Sequence, residues 1–132
     1  ILRRFSEDFS MTAIQQVKPV LSAKELSGLR TIIEKIHIKA ELIDYIAQIV
    51  HTTRNNADLF LGASPRASMA ILKTAKAMAA IAGRDFVTPE DIQRVTYPVL
   101  NHRIILTPER EMEGLSPEDI IKGILQNIEV PR

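Results

Sequence analysis

Apolar residues recur along this chain mostly in steps of three and four, the period of an amphipathic helix. From Ser22 to about Lys35 the positions Leu26, Leu29, Ile32 and Ile33 form one stripe, which Ile36 continues. Ser22 and Glu25 have the spacing of a capping box, in which each side chain satisfies a free backbone N–H. Residues 40–55 repeat the pattern, with Leu42, Ile43, Ile46, Ile49 and Val50 facing inward. Asn55-Asn56-Ala57-Asp58 ends that helix, because short amide side chains compete for helical backbone groups. The longest helix runs from Pro65 to about Ala82, roughly 27 Å. Gly83 closes it, as the residue that best tolerates a left-handed backbone. This helix is rich in alanine, and apolar residues surround most of it, which predicts the central and most buried element. Thr88, with Asp91 three residues on, caps a further helix to about Leu100, which Pro98 should distort in its last turn. Ser116-Pro117-Glu118-Asp119 opens the last helix, through about Asn127.

Two short pieces break the helical period. Ile36-His37-Ile38 and Arg103-Ile104-Ile105-Leu106 are extended and apolar, and are expected to pair with each other as a tiny ladder. The predicted fold class is therefore all-α, a small helical bundle with room for one very short β-pair. Residues 22–132 form the bundle. Residues 1–21 are expected to be a helix remnant, Ile1 to Phe5, followed by a linker containing Pro19. The opening lacks an initiator methionine and reads as the middle of a helix, so the chain is expected to be an excised domain.

Composition changes this picture little. The 132 residues are 45% hydrophobic and 25% charged, ordinary values for one globular domain. There is no cysteine, so neither disulfides nor thiolate chemistry arise. The net charge of +1 and the lack of a clustered basic face argue against nucleic acid as a partner. No run approaches the length of a membrane span.

One local feature stands out. Four places open with Ser or Thr followed by Pro: Ser64-Pro65, Thr88-Pro89, Thr107-Pro108 and Ser116-Pro117. Proline suits the first helical position, and the serine or threonine suits the cap. Three of the four continue with glutamate, which the positive end of the helix dipole favours. Only Ser64-Pro65 continues with a cation, Arg66. An arginine added to a helix N-terminus suits an anion, most commonly phosphate. The bland alternative is that Arg66 bends into solvent, since the dipole term opposing it is only about 0.3–1 kcal/mol. Lys73 lies seven residues on, on the same face, and with Lys76 reads as a solvated stripe.

Catalytic machinery is not visible. Phosphate-cradling glycine motifs are absent. His37, His51 and His102 are scattered, without the spacing of metal ligands. Glu109, Glu111 and Glu113 read as a solvated acidic loop. With two tyrosines and no tryptophan, a stacking platform for single strands is not expected.

Several ordered motifs nevertheless form a familiar set. Asp44-Tyr45-Ile46, Thr53-Arg54, Gly62-Ala63-Ser64-Pro65-Arg66-Ala67, Gly83-Arg84-Asp85-Phe86-Val87-Thr88-Pro89-Glu90-Asp91, Val99-Leu100-Asn101-His102-Arg103-Ile104-Ile105-Leu106 and Gly114-Leu115-Ser116-Pro117-Glu118-Asp119 together resemble the C-terminal part of MoxR-type AAA+ ATPases. The resemblance spans nearly the whole chain and is least clear over residues 6–21. It implies a helical lid domain that follows an ATPase core. It implies that Arg66 is the sensor-2 arginine, contacting the γ-phosphate, with Ser64 and Pro65 setting the helix start that aims it. The implied cofactor is ATP with Mg²⁺, the metal being held by the core. The implied partners are the chain's own AAA+ core, further copies in a hexamer, and proteins with von Willebrand A domains, in chaperone-like assembly work in the cytoplasm. A reading from a different class is a stand-alone helical protein-interaction module in which Arg66 has no nucleotide role. An exposed apolar surface on the Ile1-to-Phe5 side would favour the lid.

Overall fold

In a computed structural model, residues 17–131 are described. They fall into two compact units, one ending at Arg30 and the other beginning at Thr31. Helix α1, Ala23–Lys35, spans that boundary. At its start the predicted capping box is formed: the Ser22 N–H donates to Glu25 Oε2 at 2.7 Å, and the Glu25 N–H donates to Ser22 Oγ at 3.2 Å. The stripe on α1 is not covered. None of its residues is buried, Leu26, Leu29 and Ile32 are exposed, and only Ile36, just past the helix end, joins a core.

The second unit contains the remaining elements. Helix α2 is Ala40–Arg54 and strand β1 is Leu59–Leu61. Helix α3 is Pro65–Ile81 and helix α4 is Pro89–Leu100. Strand β2 is Ile105–Leu106, helix α5 is Pro108–Met112 and helix α6 is Pro117–Asn127. Their shared core holds Tyr45 and Ile49 of α2, Ile71 of α3, Ile92 and Leu100 of α4, and Ile121 of α6, all nearly inaccessible to water. Helix α3 packs most broadly on α4 and then on α2, while α6 closes the far side against both α4 and α2.

The buried part of α3 is narrower than its composition suggests. Ala67, Ile71, Ala75 and Ala79 are wholly buried, a single stripe at four-residue steps. Met69, Lys73 and Ile81 are exposed, and the other alanines do not join the fully buried stripe. Alanine there lets neighbours approach closely without itself requiring burial. The cationic stripe is also divided: Lys73 is exposed, but Lys76 reaches across to donate to the Glu34 carbonyl at 2.9 Å.

The short ladder exists, with different strands. Ile105–Leu106 pairs antiparallel with Leu59–Leu61, not with Ile36-His37-Ile38, and the register is irregular between Leu59 and Leu61. His37 instead makes a single parallel bridge with Phe86, donating to Asp85 O at 2.8 Å and accepting from the Val87 N–H at 3.0 Å. Three apolar residues are too few for a period to show, so Leu59-Phe60-Leu61 was invisible as a strand. The turn before it sets the pairing. Asn56 Oδ1 accepts from the Asp58 N–H, the Asp58 carbonyl accepts from the Thr107 N–H, and Arg110 bonds the Asp58 carboxylate at 2.7 Å. The expected acidic loop is also structured. Glu109 and Glu111 lie in α5, and Glu113 pairs with Arg110.

Helix α4 runs through Pro98 to Leu100, and the Asn101 N–H still bonds the Tyr97 carbonyl. Gly83, with φ +72°, makes the left-handed turn out of α3. Arg84 then clamps the entrance of α4. Its Nη2 donates to Asp91 Oδ1 at 2.7 Å, and its Nη1 donates to Asp91 Oδ2 at 2.8 Å and to the Phe86 carbonyl at 2.9 Å. The Thr88 N–H also donates to Asp91 Oδ2, at 2.9 Å. Burial is the largest single influence on the Asp91 carboxyl and pushes its pKa up, but the bonds from Arg84 and Thr88 together outweigh it and hold the group below the ordinary carboxylate range. A folded-state pKa below the unfolded one gives stability that is complete above the unfolded value, near 4, and is lost as pH falls through the folded value. Urea unfolding followed from pH 7 to pH 3 is therefore expected to show a midpoint that falls on acidification, with a smaller fall in Asp91→Asn.

Candidate functional site

The segment joining α2 to α3 is held more tightly than a surface loop. Its anchor is Thr53, in the last turn of α2 and 1% exposed. Thr53 Oγ1 donates to the Val50 carbonyl at 2.7 Å and accepts from the Ala63 N–H at 2.9 Å. Gly62 passes directly over the same turn. A Cβ placed on it would lie 2.4 Å from the Thr53 carbonyl oxygen and 2.6 Å from the Arg54 Cα. Ala63 and Ala67, on either side of the helix start, are both fully buried. The first turn of α3 is thus fixed from below by small residues and by one buried hydroxyl.

Ser64 occupies the cap position with extended backbone, φ −77° and ψ 161°. Its hydroxyl makes no cap bond, contrary to the expectation from its residue type. The first turn is closed instead by the backbone, the Ala67 N–H donating to the Ser64 carbonyl at 2.8 Å. Pro65 fills the first helical position, where its missing N–H leaves nothing unsatisfied. Arg66 follows and is exposed. No acidic residue lies in the first turn of α3, whereas α4, α5 and α6 each carry two.

Three other arginines have partners, whereas the side chains of Arg30, Arg54 and Arg94, like that of Arg66, make no ion pair or hydrogen bond among the described residues. Arg84 is paired with Asp91, Arg110 with Asp58 and Glu113, and Arg103 donates to the Val99 carbonyl at 2.6 Å. The Arg66 side chain makes no ion pair or hydrogen bond among the described residues. An exposed guanidinium at the positive end of a helix, without an acid in the same turn, is suited to receive an anion.

Thr53 is the residue that sequence reasoning missed as part of this site. A threonine near a helix end has many ordinary explanations, and the bond to Ala63 crosses ten positions of chain. Thr53→Val removes the acceptor for a buried N–H and should cost about 1–3 kcal/mol, read as a lowered urea midpoint. The histidines do not assemble a site. His51 meets Asn55, His102 meets the Pro98 carbonyl, and His37 lies in its bridge. Among the described residues no cluster of His, Asp or Glu is placed to hold a metal ion, and no helix is long and apolar enough to cross a membrane. The surface from Ile1 to Phe5 lies outside the described residues.

This arrangement of a pinned loop, a Pro-opened helix and an unpaired arginine falls inside a region with a known pattern. A family model described as the AAA lid domain matches residues 51–124, which includes Thr53, Gly62 and Arg66. The chain belongs to the AAA lid domain family. Relatives place this lid in the MoxR group. It is 35% identical over 126 residues to Chaperone MoxR1 of Mycobacterium tuberculosis, covering 89% of this chain and 33% of that protein. It is 32% identical over 134 residues to the uncharacterized protein YeaC of Bacillus subtilis, covering 96% of this chain and 42% of that protein. A crystal structure of a candidate ATPase from Cytophaga hutchinsonii superposes with a TM-score of 0.83 at 36% identity, covering 99% of this lid and 42% of that chain. The chain thus spans less than half the length of each of these proteins.

Proposed function

We propose that this lid senses nucleotide on its AAA+ core and that Arg66 is the sensing group, contacting the terminal phosphate of ATP. The observation that carries this reading is the unpaired Arg66 on a helix start held rigid by Thr53 and Gly62. The residues present fit one phosphate contact: a permanently charged planar fork, without an acid in the same turn to neutralise it. Ser64 and Pro65 set the direction of that turn. Mg²⁺ would be held by the core. ATP supplies the phosphoryl chemistry when bound. Arg66 stabilises negative charge on its terminal phosphate and couples the position of the lid to the nucleotide state.

The parent protein is, on this reading, an ATPase of the cytoplasm that assembles as a hexamer and remodels or assembles partner proteins, von Willebrand A-domain proteins among them. The chaperone name of the Mycobacterium tuberculosis relative supports the remodelling role. The deciding experiment is titration calorimetry of ATP on the full-length protein, with and without Arg66→Ala. Weakened binding in the variant supports the sensor. A folded full-length protein that binds no ATP would leave a helical interaction module as the better account.

A further inference from the structure

The last turn of α2 carries an arginine that takes no part in ending the helix. A cation at a helix C-terminus commonly bonds the last carbonyls. Just past α4, Arg103 does so, donating to the Val99 carbonyl. At the end of α2 those carbonyls are bonded by other residues. Thr53 Oγ1 donates to the Val50 carbonyl, Asn55 Nδ2 to the His51 carbonyl at 3.1 Å, and the Asn55 N–H to the Thr52 carbonyl at 3.2 Å. The acid nearest to Arg54 in sequence is Asp58, and Arg110 holds its carboxylate at 2.7 Å. Arg54 itself is exposed, and its side chain makes no ion pair or hydrogen bond among the described residues.

Backbone contact brings this arginine to the start of α3. Gly62 lies against it, so closely that a Cβ there would stand 2.6 Å from the Arg54 Cα. The neighbouring Thr53 hydroxyl bonds the Ala63 N–H. From Gly62 to Arg66 is four residues, at most about 14 Å of fully extended chain. The chain is helical from Pro65 onward, so the Arg66 backbone lies well within that distance of Gly62. Two side chains, each of three methylenes and a guanidinium, are long enough to meet on one anion across that gap. A terminal phosphate carries up to about two negative charges, more than a single guanidinium neutralises.

We propose that Arg54 is a second contact to the terminal phosphate of the nucleotide, gripping it together with Arg66. The inference rests on the reading of Arg66 as the phosphate contact. It adds a discrimination: two cations on one phosphate favour ATP over ADP, because ADP lacks the group that both address. The contact also ties the nucleotide to α2 as well as to α3, through two backbones that Thr53 and Gly62 hold together.

The test is titration calorimetry on the full-length protein with ADP and with ATPγS, which resists hydrolysis during the titration. Arg54→Ala should weaken ATPγS binding about tenfold, the value of one hydrogen bond to a charged group, and leave ADP binding unchanged. Unchanged ATPγS binding in Arg54→Ala, beside weakened binding in Arg66→Ala, overturns the proposal and leaves the sensor reading standing. Equal losses for ATPγS and ADP also overturn it, because they assign Arg54 a role in the shape of the lid. Unchanged binding in both variants removes the sensor reading and this inference with it. Arg54→Gln, which keeps a long polar side chain, repeats the measurement should Arg54→Ala lower the thermal melt.

Discussion

Gly62→Ala is expected to destabilise this lid by about 3 kcal/mol, at the upper end of what overpacking costs. The reason is space, since Gly62 is not among the glycines with positive φ. The added Cβ would stand 2.4 Å from the Thr53 carbonyl oxygen and 2.6 Å from the Arg54 Cα. Both are backbone atoms in the last turn of a helix, so neither can turn aside as a side-chain tip would. Either the loop lifts away, or the end of α2 gives. If the loop lifts, the bond between the Ala63 N–H and Thr53 Oγ1 is strained or lost, and the first turn of α3 shifts with it. The variant should therefore lose urea stability and, in the full-length protein, weaken ATP binding as well. A Gly62→Ala protein with an unchanged midpoint would show that the two segments are not held this close. Gly28 and Gly123 make useful controls, because an added Cβ meets nothing within 4 Å at either position.

The second large effect is on turnover. Arg66→Ala in the full-length protein should lower ATP hydrolysis by about a hundredfold, the usual order for removing one preorganised donor from a developing anionic charge. The lid itself should be almost unaffected, within about 0.5 kcal/mol, because Arg66 is exposed and has no partner to leave behind among the described residues. That combination separates a nucleotide contact from a structural one, since loss of a packing residue would lower both. Arg66→Lys keeps the charge but not the planar fork, and should recover only part of the rate. Steady-state phosphate release beside a thermal melt of each variant measures both quantities. Normal turnover in Arg66→Ala, with the core bound to ATP, would remove the sensor assignment.

All the helices except α5, which read as an acidic loop, were legible in the sequence because their causes are local. Ser22 with Glu25, Thr88 with Asp91 and Ser116 with Asp119 stand at cap spacing, and each pair bonds at the start of the predicted helix. The prolines after Ser64, Thr88, Thr107 and Ser116 all occupy helix starts. Gly83 ends α3 in the left-handed conformation. Arg66 was legible by contrast, as the one cation where three similar openings carry glutamate, and the family motifs named the kind of domain.

What required the tertiary structure was every choice between partners distant in sequence. Ile105–Leu106 found Leu59–Leu61 rather than Ile36-His37-Ile38, because Asp58 ties the turn before β1 to Thr107 and Arg110. A two- or three-residue strand carries too little pattern to specify its mate. The alanines of α3 could have faced any side, and only packing against α2 and α4 selected the stripe Ala67, Ile71, Ala75 and Ala79. Ser64 lost its side-chain cap to a backbone bond, a competition between near-equal local geometries that composition does not decide. Thr53 and Gly62 became parts of the Arg66 site only when the chain returned to the end of α2 and left no room there for a Cβ. Caps and periods act over three or four residues and can be read along a chain, whereas close approach between segments is a property of three dimensions.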